Sequence, residues 1–494
     1  MARPHQASHA VTTLAPALKR RQLGLLPLVM VMFCSVSGGP FGLEELVSQS
    51  GPGVSLALLL LTPLVWSVPA AVVVAELSTM MPVEGGYYAW VKKALGPFWG
   101  FQEGWWSWLA SFVDMAIYPV LFSAYLSAVL ERFGITVLKE DPTARWLVGL
   151  AVIWPFALLN VRGVRPVGST SVLFTAVILA PFVVMTALGL TRIFTDGAVP
   201  WMPIAPPGEP LLGAFGLGLF VVMWNYQGWD YLSTVSEEVK RPRRDVPRML
   251  AIALPLVTLT YFLPVLAGLA GTPDWKQWSE GSLPDIAAAL GGTEFGLWVA
   301  VTGLVSAAAL FSANLLGVSR VPFVMAADGY LPAALTRIHP RYGTPWVSVL
   351  LCAVIYTIFS FADFPALVVI DVILYGAALA MEKIALLVLR ARLPHAPRPY
   401  RIPGGWPGAI LVSLLPTALS IVAVVATLQS ESAEAVYAAG AALASGVIAY
   451  PVLLLLVKRN RPDVFVPLEG DGTAHSWRLI TLPRLIPHTR PVWR

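Results

Sequence analysis

The sequence predicts an all-α polytopic membrane protein, on three observations. Only 12% of its 494 residues are charged, 57% are hydrophobic and the mean hydropathy is +0.71; a soluble protein carries about a quarter charged residues. The apolar residues fall in long runs matching the roughly 20 residues a helix needs to cross a bilayer. The basic residues sit between those runs and on alternate loops. They do not cluster on a soluble domain, so the net charge of +5 gives no reason to expect a nucleic-acid partner.

Twelve spans are expected, at 22–50, 53–80, 97–131, 145–161, 168–192, 211–237, 247–271, 293–325, 345–362, 364–390, 405–428 and 434–457. Lys19, Arg20 and Arg21 precede the first run as they would in a signal peptide. No small-residue cleavage site follows, so the run reads as an uncleaved helix. One set of loops holds Lys92, Lys93, Arg162, Arg165, the Lys240–Arg244 cluster, Arg337, Arg341 and the residues from Lys458 onward. The opposite set is rich in acids, including Glu131, Glu140, Asp141, Asp274, Glu280 and Asp285. Basic loops face the cytoplasm, so both tails, 1–20 and 458–494, are expected there and to be poorly ordered. The segment 82–90 is expected as a short helix at the cytoplasmic interface, and 284–291 as its counterpart at the other end.

The first and sixth spans are interrupted. Ser37-Gly38-Gly39-Pro40-Phe41-Gly42 breaks the first and Trp224-Asn225-Tyr226-Gln227-Gly228-Trp229-Asp230 the sixth. Adjacent glycines and a proline open the helical hydrogen-bond ladder. Lipid tolerates this only where protein or a water-filled cavity satisfies the freed groups. Two such breaks at corresponding places in the two halves point to a solute-binding site at mid-membrane.

A carboxylate inside a span needs a reason. Asp230 follows the second break and reads either as a ligand contact or as the N-cap of a restarted helix. Asp114 lies near mid-membrane with Tyr118 one turn further on; a clamp to another helix is the alternative. Glu103, three turns before Asp114, reads as a cytoplasmic way-station for a cation or, more simply, as a solvated residue at the start of the helix. Glu44 and Glu45 either attract cations into an outer vestibule or complement a helix dipole. Glu76 and Glu237 are expected to pair with cytoplasmic arginines; Asp371 and Glu382 have no specific argument. Trp224, Tyr226 and Trp229 flank the break, where aromatic faces can hold an ammonium. Interior acids outnumber the one deeply placed base, Lys383, which favours a cation or protons in the cavity. Cys34 and Cys352 both fall inside apolar segments, and all six histidines lie in tails or loops. No metal set, cofactor motif or nucleophile–base pair is present, so an enzyme is not expected.

These breaks belong to an ordered series of motifs. Ala75-Glu76-Leu77, Met81-Pro82, Gly85-Gly86-Tyr87, 95–102 (LGPFWGFQ) and 118–122 (YPVLF) come after the first. Ser236-Glu237-Glu238-Val239, 327–332 (ADGYLP) and 341–345 (RYGTP) come after the second. The series resembles the amino acid–polyamine–organocation superfamily of secondary transporters, most closely its L-type amino acid/polyamine uptake branch, over about residues 20–460. The resemblance implies a LeuT-type fold: inverted five-helix repeats at 21–192 and 211–390, and two extra helices at 405–457. It implies alternating access in the cell membrane, with a small-molecule substrate held at the breaks by Ser37, Gly38, Gly39, Phe41, Gly42, Asp114, Tyr118, Trp224, Tyr226, Gly228, Trp229 and Asp230. Trp224 looks like the aromatic gate of L-type carriers. Ser306, Ser312 and Asn314 are candidates for coupling-ion or substrate oxygens, beside Glu44, Glu45 and Glu103.

Two departures from the family pattern shape the expectation. Pro40 removes one amide donor from the first break, and Asp230 stands where many amino-acid members carry a neutral amide. Both favour a ligand with ammonium groups and no carboxylate. Span five contains no lysine, which leaves the coupling ion open. The leading expectation is a proton-coupled permease for a polyamine or related organic cation. An amino-acid permease, symporter or exchanger, is the alternative, and a transport-inactive sensor with the same fold a third reading.

Overall fold

The computed structural model describes residues 18–272, 274–361, 365–430, 433–460, 465–467 and 477–479. Helix α1, Leu25–Val36, stops at the first glycine pair and the chain restarts as α2, Glu44–Ser50. Then come α3, Pro52–Met80, carrying a π-helical turn at Pro63–Ser67, the short α4, Gly86–Leu95, and the long α5, Pro97–Glu131. A single turn, α6, Val137–Glu140, leads to α7, Pro142–Arg162, and α8, Val164–Asp196. The second half opens with α9, Leu211–Asn225, followed by α10, Pro242–Gly271, the short α11, Leu283–Gly291, and the long α12, Thr293–Ala327. It closes with α13, Trp346–Phe359, α14, Pro365–Arg392, α15, Gly405–Ser430, and α16, Ala433–Asn460. Pro52, Pro97, Pro142 and Pro242 each start a helix. There the missing N–H costs no hydrogen bond and the fixed φ suits the first turn.

Among the described residues eight helices are long and apolar enough to cross a membrane: α3, α5, α7, α8, α10, α12 and parts of α15 and α16. Helices α1, α9 and α13 are apolar but shorter. The broken helices lie at the centre. Helix α1 packs on α8, α10 and α12, and α9 on α2 and α3, while α5 packs on α12 and α14. Leucine, valine and isoleucine side chains such as Leu61, Leu64, Leu173, Val183, Leu414 and Ile448 stay exposed on the perimeter, as a lipid-facing surface requires.

Three details depart from the sequence expectations. Beyond the second break the chain does not restart as an α-helix but makes two 3₁₀ turns, Tyr231–Thr234 and Ser236–Glu238. Here Thr234 and Ser236 direct their hydroxyls to the carbonyls of Tyr231 and Ser233, at 2.8 and 2.6 Å. Such bonds compete with the helical ladder. The helix expected at an interface, α4, is instead packed into the bundle, with Tyr87, Tyr88 and Trp90 buried against α5 and α14. In the C-terminal tail, Phe465–Pro467 and Trp477–Leu479 pair as a two-strand antiparallel ribbon, Phe465 opposite Leu479. The helix at Leu283–Gly291 matches the outer helix expected there. The N-tail lies outside the described residues up to position 17.

Candidate functional site

In the first break, Gly38, Gly39 and Gly42 adopt positive φ values of 63°, 114° and 81°. That region costs an L-residue about 1–2 kcal/mol, and glycine nothing. The break's amides are engaged within the chain. Ser37 and Gly38 donate to the Phe33 carbonyl, Gly39 to the Ser37 hydroxyl at 3.1 Å, and Gly42 to the Glu44 carboxylate at 2.8 Å. The carbonyls freed at the end of α1 are met from neighbouring helices. Asn314 donates to Ser35 O at 3.2 Å, and the Tyr261 hydroxyl lies 3.2 Å from Val36 O. The same hydroxyl lies 2.9 Å from Asn225 O in the second break, so one side chain of α10 ties the two breaks together. Gly228 donates its amide to the Tyr375 hydroxyl at 3.1 Å.

Between the breaks and α5 lies a cavity of about 730 Å³, open toward the end of the bundle that carries segment 274–292. Of the sequence-predicted residues, Ser37, Phe41, Gly42, Asp114, Tyr118, Trp224, Gly228 and Ser306 line it. Asp114 accepts from the Tyr118 hydroxyl at 3.0 Å, while its other oxygen is buried without a hydrogen-bond partner. Phe41 meets Tyr125 and Phe182 edge-on, at 5.2 and 5.5 Å between centroids. Lining residues not singled out for the site by the sequence include Asp371 on α14, Glu280 and Tyr231. Burial, and then the charge of Glu45, push the Glu280 carboxyl above its ordinary range. Among the described residues the lining contains three carboxylates and no lysine, arginine or histidine.

The other predicted residues sit elsewhere. Gly38 abuts Ser306 and Leu310 of α12, and Gly39 packs against Ile178 and Phe41. Tyr226 is buried with its hydroxyl on Leu59 O at 2.9 Å, and Trp229 donates to Tyr226 O. Asp230 makes no N-cap bond; it accepts from the Tyr375 hydroxyl at 2.6 Å and faces a separate small pocket with Trp229. Glu103, read from sequence as a solvated residue at the helix start, is fully buried because α4 and α14 cover that face of α5. Glu44 is buried and holds the amides of Gly42 and Leu283, whereas Glu45 is exposed. Asn314 donates to Tyr118 Oη at 3.2 Å, and Ser312 is buried beside it on α12. Glu76 pairs with Arg390 and Arg398, and Glu237 with Arg20 at 2.9 Å, the partnerships expected of both. Among the described residues no group of histidine, cysteine, aspartate or glutamate is arranged to hold a metal ion.

The end of the bundle opposite the cavity mouth is closed. Arg320 is buried against Glu238 at 2.8 Å with Glu84 at 3.8 Å, and Lys92 pairs with Asp328 at 2.5 Å. Backbone bridges Leu23–Val239 and Glu84–Val235 cross the same end.

Comparison with known proteins agrees with this geometry. Residues 23–457 match the amino acid permease family model. The chain is 36% identical over 442 residues to the polyamine transporter PUT1 of Oryza sativa subsp. japonica, covering 89% of this chain and 80% of that one. It is 35% identical over 401 residues to the polyamine transporter RMV1 of Arabidopsis thaliana, covering 81% and 79%. It is more distantly similar to the human large neutral amino acids transporter small subunit 2, at 26% identity over 410 residues, covering 78% and 72%. A pair of broken helices around a mid-bundle cavity and a family match over nearly all the helical chain lead to one conclusion: this protein is a multi-pass membrane transporter belonging to the amino acid permease family of the amino acid–polyamine–organocation superfamily.

Proposed function

We propose that the protein moves a polyamine or related organic cation, such as putrescine, across the cell membrane by alternating access coupled to protons. The observation that carries this reading is the cavity lining, which among the described residues has Asp114, Asp371 and Glu280 as its charged groups and no cationic side chain. A cleft of one sign of charge concentrates and holds the opposite sign, and Trp224 and Phe41 add aromatic faces for an ammonium. A carboxylate-bearing substrate fits less well, because the amides of Gly38, Gly39, Gly42 and Gly228 already have partners within the chain. The polyamine transporters among its relatives support the same substrate class.

The architecture is that of twelve spans, with 21–192 and 211–390 as inverted repeats and 405–457 as two added helices. The order of elements supports it. Each half opens with a broken helix, α1 or α9, continues with a full-length helix, α3 or α10, then a short one, α4 or α11, then a 35-residue one, α5 or α12. The basic loops support placing the closed end, and both termini, in the cytoplasm, with the cavity facing outward.

Radiolabelled putrescine uptake into proteoliposomes containing the full chain, driven by a pH gradient, tests the reading. Saturable uptake competed by spermidine and not by leucine is expected. Competition by leucine alone establishes an amino-acid permease instead.

A further inference from the structure

A second cluster of charged groups lies behind the break, away from the cavity. Asp230, Glu382 and Lys383 line a small pocket of about 10 Å³, the size of roughly one water site. Glu103 on α5 and Tyr87 on α4 are buried on the two helices that pack against α14, and the Lys383 ammonium lies 5.7 Å over the Trp66 ring. All four charged side chains are buried: three carboxyl groups around a single ammonium. Asp230 and Glu382 line the same small pocket, and both are buried. Two buried carboxyl groups held this close do not both carry charge cheaply, so one of them favours a proton. One oxygen each of Glu103 and Glu382 is buried with no partner.

The cluster is wired to the cavity by one side chain. The Tyr375 hydroxyl donates to Asp230 at 2.6 Å and accepts the amide of Gly228, which lines the cavity, at 3.1 Å. Asp371, Tyr375 and Glu382 stand at i, i+4 and i+11 of α14, on one helical face, with about 16 Å of rise from first to last at 1.5 Å per residue. Asp371 ends in the cavity and Glu382 in the small pocket.

We propose that Asp230 and Glu382, with Glu103 and Lys383 beside them, form a proton-binding site separate from the substrate cavity and coupled to the second break through Tyr375. A proton shared by the two carboxyls leaves Asp230 a weaker acceptor. Its loss makes Asp230 a full anion that draws the Tyr375 hydroxyl, and with it the Gly228 amide, toward the pocket. Only a proton binds and leaves; no other bond is made or broken. The site rests on the permease reading but not on the identity of the substrate.

The test compares wild type with Glu382→Gln and Tyr375→Phe in proteoliposomes. Wild type is expected to accumulate putrescine under a pH gradient and not under a sodium gradient. Glu382→Gln should bind putrescine and exchange it at equilibrium like wild type, with gradient-driven accumulation lowered by about tenfold or more. Tyr375→Phe, which keeps both carboxyls, should weaken accumulation in the same sense. Full pH-driven accumulation by Glu382→Gln, or sodium-driven accumulation by wild type, overturns the site. If a variant does not fold, infrared difference spectra of wild type at acid and neutral pH decide. A protonated-carboxyl band that titrates and responds to substrate supports the site; its absence refutes it. Should wild type take up leucine and not putrescine, the substrate reading fails and the same comparison with leucine still decides the proton site.

Discussion

Asp114 shows at the level of one residue what the cavity asks of its ligand. One oxygen is held by Tyr118 and the other has no partner among the described residues. A buried acceptor without a donor is costly, and an ammonium of the proposed substrate would meet that need. Asp114→Asn should therefore weaken putrescine binding by roughly 1.5–3 kcal/mol, the range for hydrogen bonds to charged groups, as read by calorimetry on purified protein. Binding at wild-type strength would falsify its ligand role. Glu280 supplies a second residue-scale prediction. Because burial and Glu45 raise its carboxyl above the ordinary range, it loses its charge at a higher pH than a free glutamate, at about 4.3. Putrescine binding should weaken as pH is lowered from neutral. Glu280→Gln should flatten that dependence, and an unchanged pH profile counts against a role at the mouth. The Asp114–Tyr118 pair was legible in the sequence because helical spacing puts i and i+4 on one face. Asp371 and Glu280 were not, since they reach the cavity from distant segments. Asp230 shows the opposite limit: its place beside Gly228 was plain, but no periodicity says which way a side chain points out of an unwound turn.

The elements obey the same logic. Helix ends were readable from prolines at first turns and from the interrupted runs, so α3, α5, α10 and α12 begin within a few residues of their expected limits. The conformation of the chain just past the second break was not readable. The hydroxyls of Thr234 and Ser236 replace α-helical bonds with 3₁₀ turns, and Thr234 also donates to Gly317 O at 2.9 Å, docking the turn on α12. Nor does a local pattern separate a helix lying on an interface from one packed inside, as α4 is. The first break depends on Gly38. A methyl group there would lie 2.7 Å from the Ser306 hydroxyl and 2.8 Å from Leu310, on a residue with φ of 63°. Gly38→Ala should therefore push α12 off the break and remove most uptake while expression and monodispersity survive. Its left-handed strain alone costs about 1–2 kcal/mol, which lowers the melting temperature modestly. Wild-type uptake by Gly38→Ala would show that the break tolerates a wider α1–α12 spacing.

At the scale of the whole molecule the cavity is open at one end and ion-paired at the other, as one state of the proposed alternating-access cycle would be. To reach the other half, the closed end must give up the contacts of Glu238 with Arg320 and of Glu237 with Arg20, together with the backbone bridges from Leu23 and Glu84. The Arg320–Glu238 pair holds the 3₁₀ turn after the second break against the end of α12, and both side chains are buried. Removing one partner of a buried pair costs about 3–5 kcal/mol in the state that contains it. If the closed end belongs only to the proposed outward-facing state, Glu238→Gln should shift the population inward and not destabilise both states alike. Thr234 is buried in that seal. A cysteine introduced by Thr234→Cys should react slowly with a membrane-impermeant maleimide applied from the cytoplasmic side, and several-fold faster when Glu238→Gln is added. Putrescine uptake should fall in the same double variant, since an outward-facing cavity is then rarely presented. Equal labelling rates with and without Glu238→Gln would mean that the pair does not gate the cytoplasmic end, and the closure would then have to rest on the backbone bridges alone.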